Sequence, residues 1–171
     1  MKNFKLIIPI LVLALLGYLV FSVVTKIQFK NAIEKKLETI PNFSFITLDK
    51  KVFTNSDLKL NTPTVFIYFN SDCDFCQYEA QSISEHSTYF KNVQLLFVST
   101  EDILTIKNFA ISYDLLNQSN ISFLQDNTDT FSNRFDANSI PFLLVYNKDQ
   151  VLVKKYKGQL KPTAIMKLLE N

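Results

Sequence analysis

The sequence predicts one α/β domain with a central mixed sheet flanked by helices, preceded by an N-terminal transmembrane helix. Three observations lead to this prediction. Residues 6–25 contain no charged residue, apolar runs of strand length alternate with helical patterns in the middle of the chain, and hairpin patterns lie on either side of that alternation. Strands that alternate with helices pair in parallel, whereas hairpins add antiparallel strands.

The apolar segment LIIPILVLALLGYLVFSVVT spans 20 residues. At about 1.5 Å per residue such a helix is about 30 Å long, which matches the hydrocarbon core of a bilayer. No small-residue cleavage site is recognisable, so we expect an uncleaved anchor over residues 1–25, with a cleaved signal peptide as the alternative. Lysines flank both ends, so the positive-inside rule leaves the orientation open.

A charged helical stalk is predicted next, over residues 26–40, and Pro41 ends it. The domain then covers residues 41–171. It begins with a hairpin of residues 43–48 and 52–53, followed by a polar loop to Pro63.

Continuous apolar runs at residues 64–70 and 93–99 are typical of strands buried on both faces. The first is followed by a helix whose buried stripe contains Cys76, Ala80 and Ile83. Thr100 is the expected cap of a helix over about residues 101–113. The remaining predicted elements are a strand at 121–124, a short helix at 128–135, a hairpin of residues 141–146 and 151–156, and a last helix at 162–169.

Composition excludes several classes of function. A net charge of +2 gives no basic excess for nucleic acid, and two glycines are too few for the phosphate-binding loops of nucleotide enzymes. A zinc site needs about four ligands, but the chain has only two cysteines and one histidine. We therefore expect no metal site and no cofactor.

Cys73 and Cys76 form a CxxC motif between a predicted buried strand and the start of a helix. Two unrelated buried thiols and a weak structural disulfide are alternatives, but so short a loop gains little from a disulfide. At a helix N-terminus, unpaired N–H groups favour a thiolate at Cys73, and Cys76 lies one turn later on the buried stripe. An exposed nucleophilic thiol with a shielded second thiol behind it suits thiol–disulfide exchange.

The CxxC between strand and helix, together with Ile140-Pro141 at the start of a later strand, resembles the thioredoxin superfamily over about residues 41–169. The apolar anchor, the first hairpin and Glu79 make the chain most similar to membrane-anchored TlpA/ResA proteins and bacterial redoxins of the AhpC/TSA type. The resemblance implies a thioredoxin-like fold, with Cys73 as the attacking thiol and Cys76 as the resolving one.

Further roles follow from the same resemblance. Pro141 would be cis, and Ile140 would pair with the backbone of a substrate. Glu79 would be the glutamate near the thiols, and its place beside the buried helix stripe independently suggests a raised pKa and a role in proton transfer. Asp72 and Ile67 depart from the usual family residues at their positions, and His86 is interpreted as a surface residue.

The predicted function is a membrane-anchored thiol–disulfide oxidoreductase, with its catalytic domain on the extracytoplasmic, periplasmic side. Its expected partners are protein disulfides or dithiols and a membrane or periplasmic electron donor, and the soluble domain is expected to be monomeric. Because Asp72 and Asp74 disfavour a thiolate at Cys73, we expect a reductant, with a potential nearer about −270 mV than about −120 mV.

Two alternative functions remain open. A peroxiredoxin-type peroxidase usually has T-x-x-C, but Asn70 stands at the threonine position and Arg134 is the one arginine of the chain. A Sco-type copper chaperone would need CxxxC and a downstream histidine, whereas here the spacing is CxxC and His86 follows Cys76 by only ten residues.

Overall fold

A computed structural model describes residues 4–170 of the chain. Residues 1–3 of the expected anchor and Asn171, the last residue of the expected domain, lie outside the described residues. The chain divides into two compact units whose boundary falls between Lys36 and Leu37.

The first unit consists of helix α1, Phe4–Leu37, whose last residue already belongs to the second unit. The expected anchor and stalk thus share one continuous helix, which ends four residues before Pro41. By length and composition, the stretch Leu11–Leu37 could cross a membrane. Its large apolar side chains stand exposed from Leu11 to Ile27.

The second unit is built on a seven-stranded mixed sheet. Its strands are β1 Ser44–Thr47, β2 Val52–Thr54, β3 Thr64–Tyr68, β4 Gln94–Ser99, β5 Ile121–Gln125, β6 Phe142–Tyr146 and β7 Leu152–Lys157. The order in the sheet is β2-β1-β5-β4-β3-β6-β7. Strands β3, β4 and β5 are parallel, and the hairpins at both sides pair antiparallel, as the sequence predicted.

The helices of this unit are α2 Asp74–Glu85, α3 Ile103–Ser112, α4 Phe131–Arg134 and α5 Pro162–Leu169. On one face of the sheet, Val65 and Ile67 pack in a single core cluster with residues of α2, α3 and α5. On the other face, Phe66 contacts the rings of Phe131 and Phe135. With both faces covered, β3 and β4 can be continuously apolar.

Several predicted boundaries were wrong. Helix α3 begins at Ile103 and is capped by Asp102, whose carboxylate accepts the N–H groups of Leu104 and Thr105, so Thr100 is not its cap. A carboxylate bonded to two N–H groups satisfies donors that a helix leaves free, which explains the later start. Helix α4 is also shorter than residues 128–135, and a short 3-10 turn, Asn55–Asp57, interrupts the predicted loop.

The start of the second unit includes residues that the sequence placed in the stalk. Leu37 and Ile40 are buried in the core. The carbonyl of Glu38 accepts the N–H of Leu152 at 2.9 Å, and Thr39 forms a bridge with Val151. The segment between α1 and β1 therefore lies along the start of β7.

Candidate functional site

Cys73 lies between β3 and α2 and is the N-cap of that helix. Its backbone is extended, with φ −87° and ψ 113°, so its side chain stands clear of the helix body. Its carbonyl accepts the N–H groups of Cys76 at 2.9 Å and Gln77 at 3.0 Å, which start the helix. The thiol is half-buried, and it is therefore the accessible member of the pair.

Cys76 lies one helical turn later and is only 1% exposed. It packs in the core cluster, and both cysteines are free thiols that lie close to each other. Burial raises the pKa of the Cys76 thiol strongly, and the backbone N–H of Asn70, which lies near its sulfur, opposes this rise. The structure thus pairs an accessible thiol with a shielded one.

The Ile140–Pro141 peptide bond is cis, as the family resemblance implied. The carbonyl of Ile140 lies 4.0 Å from the Sγ of Cys73. Pro141 is buried, whereas Ile140 remains 40% exposed. The loop before β6 and the first cysteine therefore lie side by side.

Glu79 is completely buried, more deeply than its position at the edge of the helix stripe suggested. Its Oε2 accepts the backbone N–H of Leu160 at 2.7 Å, and its Oε1 has no partner among the described residues. Burial raises its pKa to about 8, and the bond from Leu160 lowers it in part. Its charge in turn contributes to the raised pKa of Cys76. Glu79 can therefore hold or accept a proton near neutral pH, beside the thiol of Cys76.

Gly158 helps to direct Leu160 toward this carboxyl group. It has a φ of +96°, a conformation that favours glycine, and its N–H donates to the carbonyl of Pro141 at 2.8 Å. The chain turns there from β7 into the segment that carries Leu160. The contact with Glu79 comes from a backbone group, so no residue type in the sequence could have indicated it.

A groove with a volume of about 550 Å³ lies beside Cys73. Its walls are formed by Phe75, Ile140, Pro141, Tyr156 and the segment of residues 157–159, together with Ser139. Phe75, between the two cysteines, is 63% exposed. The groove thus presents apolar surface beside the accessible thiol.

Glu101 also lies beside the loop that carries the cysteines, although it was not expected there from the sequence. Its carboxylate accepts the backbone N–H of Ser71 at 2.8 Å and the hydroxyl of Ser71 at 2.6 Å. Ser71 lies two residues before Cys73. The order of the predicted strands could have indicated this contact. Ser71 and Glu101 each follow a predicted parallel strand, and the carboxyl ends of adjacent parallel strands meet at the same sheet edge.

Four further residues were singled out from the sequence, and one of them, His86, is less exposed than the surface residue that was expected. Asp72 and Asp74 are exposed on either side of Cys73, and Ile67 is buried in β3. His86 is half-buried at the end of α2, and its Nδ1 contacts the carbonyl of Ser82 at 2.9 Å. The structure brings together Cys73, Cys76, Glu79, Ile140 and Pro141.

Solved structures with the same fold support this description. MTB DsbF, in mixed oxidized and reduced forms, is 19% identical, with a TM-score of 0.65 over 79% of this chain and 95% of that chain. A secreted disulfide oxidoreductase of Mycobacterium tuberculosis, homologous to E. coli DsbE, is 21% identical, with a TM-score of 0.63 over 80% and 97%. A thiol:disulfide interchange protein of the thioredoxin family from Chlorobium tepidum is 16% identical, with a TM-score of 0.65 over 77% and 93%. A comparison with curated proteins found no match.

The family assignment comes from the sequence of the folded unit. Residues 37–162 match the model of the AhpC/TSA family, and this stretch covers every strand of the sheet and the cysteine pair. The match begins at Leu37, where the compact unit also begins. The chain therefore belongs to the AhpC/TSA family and is an oxidoreductase with a thioredoxin-like fold.

Proposed function

We propose that this protein is a membrane-anchored thiol–disulfide oxidoreductase that reduces protein disulfides through Cys73 and Cys76. One observation carries the proposal: a half-buried thiol at a helix N-cap contacts a buried second thiol one turn later. The first can reach a substrate disulfide, and the second is shielded until the first has reacted.

The reaction takes two steps. The thiolate of Cys73 attacks one sulfur of the substrate disulfide, a mixed disulfide forms, and the other substrate sulfur leaves as a thiolate that takes up a proton. Cys76 then loses its proton and attacks the sulfur of Cys73, which releases the second substrate sulfur as a thiolate. Two electrons pass to the substrate, and Cys73 and Cys76 are left as a disulfide. A dithiol donor regenerates the pair by the reverse exchange.

Glu79 serves the second step. Its ionised carboxylate accepts the proton of Cys76, and its pKa of about 8 lets it exchange protons near neutral pH. A buried thiol with a raised pKa is a poor nucleophile until it is deprotonated, so a nearby base accelerates its attack.

The substrate binds along the groove beside Cys73. The exposed side chains of Phe75 and Ile140 contact apolar residues that flank the substrate cysteine, and the backbone of Ile140 pairs with the substrate backbone. Substrates are therefore proteins rather than small disulfides. The soluble domain works as a monomer.

Residues 1–25 anchor the protein in the cell membrane, residues 26–40 form the stalk, and residues 41–171 carry the catalytic domain on the extracytoplasmic, periplasmic side. The exposed apolar side chains of α1 from Leu11 to Ile27 support the anchor. Reporter fusions after Asn171 test the orientation: a periplasm-dependent phosphatase should be active there. Activity of a cytoplasm-dependent reporter alone would contradict it.

Trapping of the mixed disulfide tests the exchange chemistry. Cys76→Ser should accumulate covalent adducts with disulfide-containing proteins that dithiothreitol releases, because the resolving thiol is missing. Cys73→Ser is the matched control and should trap none, since the remaining thiol is buried. Equal trapping by both variants, or none by either, would reject the assigned roles.

Thiol peroxidase activity is a second candidate, favoured by the AhpC/TSA family match. Reaction of Cys73 with hydrogen peroxide would give a sulfenic acid and water, and Cys76 would then close the disulfide and release a second water. Peroxide consumption with dithiothreitol as reductant tests it. A rate that greatly exceeds the rate of protein disulfide reduction would make the peroxidase the main activity.

A further inference from the structure

Glu101 connects the end of β4 to the loop before the cysteines. Its Oε2 accepts the backbone N–H of Ser71 at 2.8 Å and the hydroxyl of Ser99 at 3.0 Å, and its Oε1 accepts the hydroxyl of Ser71 at 2.6 Å. Three hydrogen bonds to one carboxylate are strong and directional contacts. They fix the loop to the end of β4, which is the central strand of the sheet.

Ser71 is held from the other side as well. Gln77 of α2 donates its side-chain amide to the carbonyl of Ser71 at 2.8 Å. The loop around it is closed by Asn70, whose side-chain oxygen accepts the N–H of Asp72 at 2.9 Å and whose carbonyl accepts the N–H of Cys73 at 3.3 Å. Ser71 is thus fixed at its N–H, its hydroxyl and its carbonyl.

The loop around Ser71 places one backbone group, the N–H of Asn70, near the thiol of Cys76. The backbone N–H of Asn70 lies near the sulfur of Cys76 and lowers the pKa of that thiol, so it favours the thiolate of the buried group. Glu101 accepts the N–H of the peptide group that joins Asn70 to Ser71, and the next peptide group carries the Asn70 N–H. A shift of Ser71 would therefore move Asn70 relative to Cys76.

We propose that Glu101 is a positioning residue for the second step of exchange: through Ser71 it holds the Asn70 N–H against Cys76 while Cys76 attacks the mixed disulfide. The inference rests on the proposed exchange through Cys73 and Cys76. The proposed role is one of position, because the contacts of the Glu101 carboxylate go to Ser71 and Ser99 rather than to either cysteine. The bond that forms joins Cys76 to Cys73, the bond that breaks joins Cys73 to the substrate, and the substrate sulfur leaves as a thiolate.

Rapid acid-quench kinetics of the full chain in detergent micelles with a disulfide peptide separate the two steps, because acid preserves the mixed disulfide and mass spectrometry measures its formation and decay. Glu101→Ala should slow resolution of the mixed disulfide about tenfold, while its formation by Cys73 changes less than twofold. Misplacement of a reacting group by about 1 Å is enough for such a loss. Glu101→Gln should stay within about threefold of the wild type, because its amide can keep contacts to Ser71 and Ser99.

Asp57→Ala is the matched control. Its carboxylate also accepts the backbone N–H and the hydroxyl of one residue, Thr54, but in the turn after β2, four strands from β3 in the sheet. Neither step should change by more than about twofold in this variant. Were Glu101→Ala not to fold, Ser71→Ala, which removes one of the three bonds, should slow resolution two- to threefold.

The outcomes separate the two proposals. A wild-type chain that forms no mixed disulfide would reject the proposed function itself, and this inference with it. A wild-type chain that completes both steps, with resolution unchanged in Glu101→Ala and Ser71→Ala, would overturn the role of Glu101 alone. Equal slowing of both steps, or a Glu101→Gln variant as slow as Glu101→Ala, would also overturn it.

Discussion

Replacement of Glu79 by Gln tests the state of the buried carboxyl group. The change keeps the size of the side chain and leaves an amide oxygen to accept the N–H of Leu160, but it removes the titratable proton. We expect the free energy of unfolding of the variant to lose the pH dependence that Glu79 gives the wild type. We also expect disulfide exchange to slow.

The size of this pH dependence of the free energy of unfolding follows from the pKa of Glu79. In the unfolded chain the carboxyl ionises near its ordinary value of 4.5, whereas in the folded protein it keeps its proton up to about pH 8. Because folding raises this pKa, the stability present below pH 4.5 is lost as pH rises between these two values. At about 1.4 kcal/mol per pKa unit, the loss reaches about 3 kcal/mol at pH 7 and about 5 kcal/mol above pH 8.

Urea unfolding of the full chain in detergent measures the free energy of unfolding at pH 5, 7 and 8.5. Tyrosine fluorescence follows the transition, because the chain has no tryptophan. The stability of Glu79→Gln relative to the wild type should rise by several kcal/mol across the series. Glu85→Gln, an exposed position on the same helix, is the matched control and should show a constant difference. A pH-independent difference for Glu79→Gln would refute a proton held at Glu79.

The exchange rate gives a second, independent measure of the same group. If Glu79 is the base for Cys76, Glu79→Gln should slow exchange at pH 7 by a factor within the range of about 10²–10⁴ that is typical of general base catalysis. The wild-type rate should rise with pH through the pKa of about 8, and the variant should lack that rise. The urea measurement at pH 7 shows whether the variant is folded under these conditions, and a lower rate of the folded variant is then assigned to the chemical step.

Three further changes test other parts of the molecule. Asp72→Asn with Asp74→Asn removes two negative charges beside Cys73 and should raise the reduction potential by roughly 10–30 mV, measured against glutathione; a fall would contradict the electrostatic argument. A chain that starts at Leu37 should fold, whereas one that starts at residue 41 loses two buried side chains and should be less stable by about 3 kcal/mol or more in urea. Phe66→Ala should cost about 3–5 kcal/mol of stability because Phe66 is fully buried among aromatic rings, and exchange per folded molecule should stay unchanged.

Much of the fold was determined by local sequence patterns. The apolar runs of β3 and β4 and the hairpin of β6 and β7 follow from hydrophobic periodicity, because each strand is covered on the faces that the pattern indicates. The position of Cys73 at a helix start and of Cys76 on its buried side follows from helical spacing. These features depend on residues close together in the chain, so the sequence alone indicates them.

The tertiary structure decided the contacts between distant segments. Glu79 is buried and receives the N–H of Leu160, 81 residues away, and that backbone group has no sequence signature. Glu101 meets Ser71 because β3 and β4 are parallel neighbours, so that both loops leave the same sheet edge. Leu37 and Ile40 belong to the core because their segment lies along β7, although their composition resembles a stalk. Burial and pKa depend on what packs against a residue from elsewhere in the chain, and only the folded structure supplies those neighbours.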